Sequence, residues 1–142
     1  VRTWLIDTGP IVAYLDARDP FHAAVSARLR PFPGRLATTS AVVTEAMHFV
    51  AASREGPRAL AEFIGATGTE VYDPCGPRNL VEAAALMERY ADTPMDFADA
   101  TLVLLSEALD VRDILTLDRR GFSTYRTRSR RSFRLVLDDS RS

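Results

Sequence analysis

Lysine is absent from the 142 residues; all 18 basic side chains are arginine. That removes response-regulator-like phosphoryl acceptors, whose strand-end acids work beside an essential lysine, and no P-loop sequence occurs either. One cysteine, Cys75, permits no internal disulfide and no thiolate metal cluster, and fits a reducing, cytoplasmic setting. The two histidines, His22 and His48, do not amount to an imidazole ligand set. No apolar run approaches the roughly 20 residues of a membrane helix. The chain enters Trp4-Leu5-Ile6 almost at once, so neither a signal peptide nor a membrane association is expected.

What is present is a globular composition, 46% hydrophobic and 26% charged, which suits one domain spanning 1–142. The net charge of −1 conceals a basic region near the C-terminus: Arg119, Arg120, Arg126, Arg128, Arg130, Arg131 and Arg134. A GC-rich genome accounts for arginine replacing lysine. The clustering fits either a phosphate-binding patch, since guanidinium forks pair bidentately with phosphate, or a solvated charged loop.

Short apolar runs alternate with stretches of helical period. Strands are predicted at 1–6, 35–38, 70–72, 114–117 and 133–137. Helices are predicted over 10–17, 20–30, 40–53 with Ser40 as N-cap, 57–67, 78–91 and 97–109. The helix at 78–91 carries Leu80, Ala83, Ala84, Met87 and Tyr90 along one face. This alternation, without a strong hairpin signal among the first four strands, predicts an α/β fold with a mainly parallel sheet covered by helices on both faces.

Two strands end in aspartate, Leu5-Ile6-Asp7 and Leu115-Thr116-Leu117-Asp118. In open α/β sheets the functional crevice lies beyond the carboxyl ends of the strands, where strand order reverses. Each also has an ordinary reading: Asp7 as a cap, and Asp118 as the first residue of a type I turn ending at Gly121. Glu45 stands in a helix with almost no polar face, where a buried carboxylate is costly unless paired or bound to metal. An exposed seam with Thr44 and His48 is the competing explanation. Asp96 and Asp99 open the apolar segment 97–105 and resemble a capping box. That suits Asp96; Asp99 shares its face with Leu102 and Val103 and is expected to point inward. If Asp7, Glu45, Asp99 and Asp118 converge, hard oxygen ligands without Cys or His imply Mg²⁺ or Mn²⁺.

These fragments together resemble the PIN domain, specifically the VapC-like ribonuclease toxins of type II toxin–antitoxin systems. The resemblance rests on Leu5-Ile6-Asp7-Thr8-Gly9-Pro10-Ile11-Val12-Ala13-Tyr14-Leu15, Thr44-Glu45-Ala46, Phe97-Ala98-Asp99-Ala100, and Leu115-Thr116-Leu117-Asp118 with Phe122 close behind. It implies a five-stranded parallel sheet with the first and fourth strands adjacent, and a catalytic set of Asp7, Glu45, Asp99 and Asp118. Asp7, Asp99 and Asp118 would hold metal, Glu45 would act through a water or orient the nucleophile, and Asp96 would add a metal or supporting contact. Thr8 and Thr116 match supporting hydroxyl positions. Arg119, Arg120, Arg126, Arg128, Arg130 and Arg131 are the candidates for RNA backbone contacts. The implied reaction is Mg²⁺- or Mn²⁺-dependent hydrolysis of an RNA phosphodiester, and the implied partners are a VapB-like antitoxin and a second copy of the chain.

Other chemistries fail on named residues. Glu45-Ala-Met-His48 is a single Glu-x-x-His pair, whereas a di-iron bundle needs two with two further Glu-bearing helices. A haloacid-dehalogenase-like phosphatase needs an aspartate where Gly9 stands. A catalytically silent module that binds RNA or protein, and a housekeeping nuclease without an antitoxin, are the alternatives that survive.

Overall fold

The structure, a computed structural model, describes residues 1–138. Its strands are β1 (Thr3–Ile6), β2 (Arg35–Thr39), β3 (Glu70–Tyr72), β4 (Asp113–Leu115) and β5 (Arg134–Leu135). Its helices are α1 (Thr8–Leu15), α2 (His22–Leu29), α3 (Ser40–Val50), α4 (Gly56–Thr67), α5 (Pro77–Arg89), α6 (Phe97–Leu109) and α7 (Arg119–Thr124).

Trp4, Leu5 and Ile6 are all buried, as are Ile114 and Leu115. Successive strand side chains point to opposite faces, so such runs require cover on both sides of the sheet. Leu5 pairs with Ala37 of β2 on one side and Ile114 of β4 on the other. All strand pairs are parallel, in the order β3-β2-β1-β4-β5. The chain therefore builds outward from β1 in one direction, then crosses to build in the other. The order reverses between β1 and β4, which creates a crevice at their carboxyl ends.

α6 is apolar around nearly its whole circumference, with Ala98 and every residue from Ala100 to Ser106 buried, as befits a helix enclosed on all sides. It packs against β2, α3 and α5. Its one buried threonine hydroxyl pair, Thr39–Thr101 at 2.8 Å, joins the end of β2 to this helix.

Several expected boundaries shift. Thr39, not Ser40, caps α3: it is still extended (φ −120°, ψ 160°), and its hydroxyl accepts from the Val42 N–H. α3 ends at Val50 rather than near 53. On α5 the buried residues are Ala83 and Leu86, while Leu80 and Ala84 are exposed. The segment read as a turn at Asp118 is a short helix, because Phe122 and Tyr125 fill the core behind it and fold the chain into a further turn. The expected fifth strand keeps only Arg134–Leu135 and passes into a 3₁₀ turn at Val136–Asp138.

Ile114 sits fully buried on β4, an inner strand between β1 and β5. Ile114→Ala is expected to lower stability by about 2–5 kcal/mol, read from urea unfolding. A loss below ~1 kcal/mol would mean that β4 is not the packed inner strand described.

Candidate active site

The backbone N–H of Asp7 donates to the Leu115 carbonyl at 3.0 Å, carrying the β1–β4 pairing one residue past the end of β1. Asp7 thereby stands at the point where strand order reverses. Its carboxylate is buried and held from two sides: Oδ1 accepts from the Thr8 N–H at 2.8 Å, and Oδ2 accepts from the Thr116 hydroxyl at 2.8 Å. The same Thr116 oxygen accepts from the Asp118 N–H at 3.0 Å, so one hydroxyl couples the two strand-end aspartates. Asp118 also caps α7, with Oδ1 accepting from the Gly121 N–H at 2.9 Å. A Cβ on residue 121 would collide with the Asp118 carboxylate, which explains glycine there.

Glu45 comes from α3 and receives the Thr8 hydroxyl at 2.6 Å. It is half-buried, while Thr44 and His48 are exposed. Its helix stripe is thus neither core nor open surface but the wall of a cleft, which accounts for both readings of its sequence. Asp96 and Asp99 form a reciprocal capping box: the Asp99 N–H donates to Asp96 Oδ1 at 2.8 Å and the Asp96 N–H to Asp99 Oδ2 at 3.2 Å. Asp96 is exposed and Asp99 half-buried. Both acids therefore share the capping, and the inward one also faces the other carboxylates.

Asp7, Glu45, Asp96, Asp99 and Asp118 line a single cleft of about 580 Å³. Collecting these charges perturbs them. Burial, reinforced by Glu45 and Asp96, raises the pKa of Asp7 to about 6 against the opposing effect of its two hydrogen bonds. Burial first, then the charges of Asp7 and Asp96, raises that of Asp99 to about 8. Burial and the same acids keep the Tyr125 hydroxyl protonated. That hydroxyl donates to the Pro94 carbonyl at 2.8 Å and so fixes the loop leading into Asp96.

Among the described residues, the side chains lining the cleft offer only oxygen donors and a surplus of negative charge, which suits a divalent cation such as Mg²⁺ or Mn²⁺. Among the described residues, however, no three acids already stand at the spacing of a ligand shell. Coordination would have to draw the carboxylates inward.

The structure separates the arginine candidates. Arg119 and Arg120 open α7 directly after Asp118 and are exposed; Arg119 pairs with Asp138 at 3.0 Å. Arg126 turns back onto the carbonyls of Ser123, Thr124 and Tyr125. Arg128 is paired with Glu107 at 2.7 Å and Glu82 at 2.9 Å, and Arg131 with Asp110 at 3.5 Å. Glu107 lies about 12 Å along α6 from Asp99 at 1.5 Å per residue, so Arg128 and Arg131 occupy the end of that helix remote from the cleft. Arg130, in the same loop, adopts φ 65°. Sequence reasoning also missed cleft residues. Asp19, Val12, Phe49 and Pro94 line it, and only the four-residue spacings Thr8–Val12 and Glu45–Phe49 signalled two of them.

An acidic crevice at the switch point of a parallel sheet is where open α/β folds bind their ligands, and comparison defines the chain further. The PIN domain profile matches residues 4–127, and the chain belongs to the PIN-domain family. It is similar to Ribonuclease VapC26 of Mycobacterium tuberculosis (strain ATCC 25618 / H37Rv), with 37% identity over 126 residues, 86% of this chain and 91% of that protein. The fold resembles the crystal structure of VapC20, a Sarcin-Ricin loop cleaving toxin of M. tuberculosis, with TM-score 0.67, 18% identity and coverage of 78% and 85% of the two chains. It also resembles VapBC2 from Rickettsia felis bound to a DNA fragment from their promoter, with TM-score 0.57, 14% identity and coverage of 84% and 92%.

Both raised pKa values lie above the 3.8 of an unperturbed aspartate. The folded state therefore binds these protons more tightly than the unfolded state, and their contribution falls as pH rises from about 4 through 6 and 8. In chelator, unfolding free energies of the wild type should decline relative to Asp99→Asn across that window. Parallel profiles for the two proteins would show that Asp99 is not perturbed.

Proposed function

We propose that this chain is a metal-dependent endoribonuclease, the toxin of a type II toxin–antitoxin pair, built as one PIN domain over 1–142. The observation that carries the reading is the meeting of Asp7, Glu45, Asp99 and Asp118, from four separate segments, in one cleft. The 37% identity to Ribonuclease VapC26 supports the ribonuclease reading. The likeness to a VapBC assembly supports a VapB-like antitoxin as partner. A homodimer and a cytoplasmic location accompany this proposal, in keeping with the single cysteine.

Asp7, Asp99 and Asp118 would hold Mg²⁺ or Mn²⁺, with Glu45 acting through water and Asp96 as a supporting contact. A divalent ion held there would lower the pKa of a water and offset charge growing on the phosphate oxygens. The protein's own part is orientation. Thr116 and the Thr8 N–H fix both oxygens of Asp7. The Thr8 hydroxyl aims Glu45, leaving its second oxygen for a water or a proton from the attacking one. The Gly121 N–H steadies Asp118. Arg119 and Arg120, beside Asp118, are the arginines best placed to attract the RNA backbone, so binding should weaken with salt. Arg126, Arg128, Arg130 and Arg131 would act at most on more distant stretches of the strand.

The test exploits the shared capping box. Asp99→Ala should reduce Mg²⁺- or Mn²⁺-stimulated cleavage by at least a hundredfold, while Asp96→Ser, which retains a capping oxygen, should keep most of it. Equal loss from both would remove the distinction between them. Metal-independent binding of RNA without any cleavage would favour a silent binding module.

A further inference from the structure

Phe49 is 55% exposed although it lies in the wall of the acidic cleft. Single exposed apolar residues are common and carry no meaning by themselves. Phe49 differs in its position. It follows Glu45 by four residues on α3, and Val12 follows Thr8 by four on α1. Side chains four apart lie one above the other on a helix face. The hydrogen bond from Thr8 to Glu45 thus forms one rung between the two helices, and Val12 and Phe49 stand at the level of the next, both lining the cleft.

That second rung borders two recesses. Val12 and Phe49 line the acidic cleft and also the adjoining hollow of about 360 Å³ that runs toward Asp16, Ser53 and Gly56. The two recesses meet at Val12 and Phe49, the residues they share. The Phe49 and His48 rings stand edge-to-face at a centroid distance of 5.7 Å, and more than half of Phe49 stays open to solvent. Helical side chains lean toward the N-terminus, which tilts Phe49 toward Glu45. One helical turn, about 5.4 Å, is a displacement of the order of one nucleotide along a strand.

We propose that Phe49, backed by Val12, is a stacking platform for the nucleobase flanking the phosphate held at the carboxylates, and so sets the sequence preference of cleavage. This rests on the ribonuclease reading above. An RNA strand whose phosphate reaches the acids must carry its next base along one of the cleft walls, and this wall carries an exposed aromatic ring. Unpaired bases are commonly recognised by stacking on such rings. Alanine substitution at such positions removes roughly 1–3 kcal/mol per base. A protein segment could instead cover Phe49, but continuity with the acids favours the nucleic acid.

The experiment uses a 5′-labelled single-stranded RNA library of randomised sequence with Mn²⁺, and sequencing of the cut ends. Phe49→Ala should raise KM about tenfold or more, change kcat less, and flatten the preference at one nucleotide beside the cut. Phe49→Trp should restore both, and Phe49→Leu should not, because stacking rather than bulk is the requirement. Since the ring is exposed, melting temperatures should agree among the variants. Unchanged KM and preference in Phe49→Ala, with the wild type cutting, would overturn the stacking role alone. That holds even if the variant escapes inhibition by a partner protein, which would make Phe49 a protein contact. No cleavage by the wild type would remove the ribonuclease reading and the stacking role with it.

Discussion

The site is organised around the clamp on Asp7. Its N–H extends the pairing of the two central strands, and its oxygens are taken by one backbone amide and one hydroxyl. An unpaired carboxylate in such a buried place would be expelled or neutralised. Here the hydrogen bonds oppose the burial cost without cancelling it, and the pKa remains high. Thr116 then passes the order on to Asp118, and Thr8 passes it to Glu45. Three segments distant in sequence are thereby registered to one buried group.

Gathering acids would by itself drive the cleft open. Part of the repulsion is offset because Asp96, Asp99 and Asp118 sit at helix starts. Asp96 and Asp99 satisfy amides at the beginning of α6, and Asp118 does so at the beginning of α7. The orphan N–H groups and the positive end of the helix dipole favour carboxylates at these positions. Capping and chemistry are therefore not rival explanations for these residues. The remaining excess of negative charge is what a divalent cation would neutralise.

The sheet was legible because its inner strands are near-continuous apolar runs that end in acids. The strand-end rule then pointed to Asp7 and Asp118 without reference to any relative. What stayed hidden depends on tertiary packing. Asp118-Arg-Arg-Gly121 satisfies a turn and a helix start equally well, and only the burial of Phe122 and Tyr125 decides for the helix. The arginine cluster reads as one basic patch in sequence. In space Arg128 and Arg131 fall back onto Glu107 and Asp110, because the chain crosses to the far end of α6. Phe49 belongs to the nearly all-apolar run of α3, where periodicity cannot tell a core face from a cleft wall.

The central claim is that the carboxylates form one cation-binding center. Anomalous scattering from a crystal grown with Mn²⁺ tests it most directly. The account predicts a manganese peak within coordination distance of Asp7 and Asp99, with the carboxylates drawn together. A fully formed crystal that shows no manganese in the cleft, from a preparation that cleaves RNA in the same buffer, would contradict it.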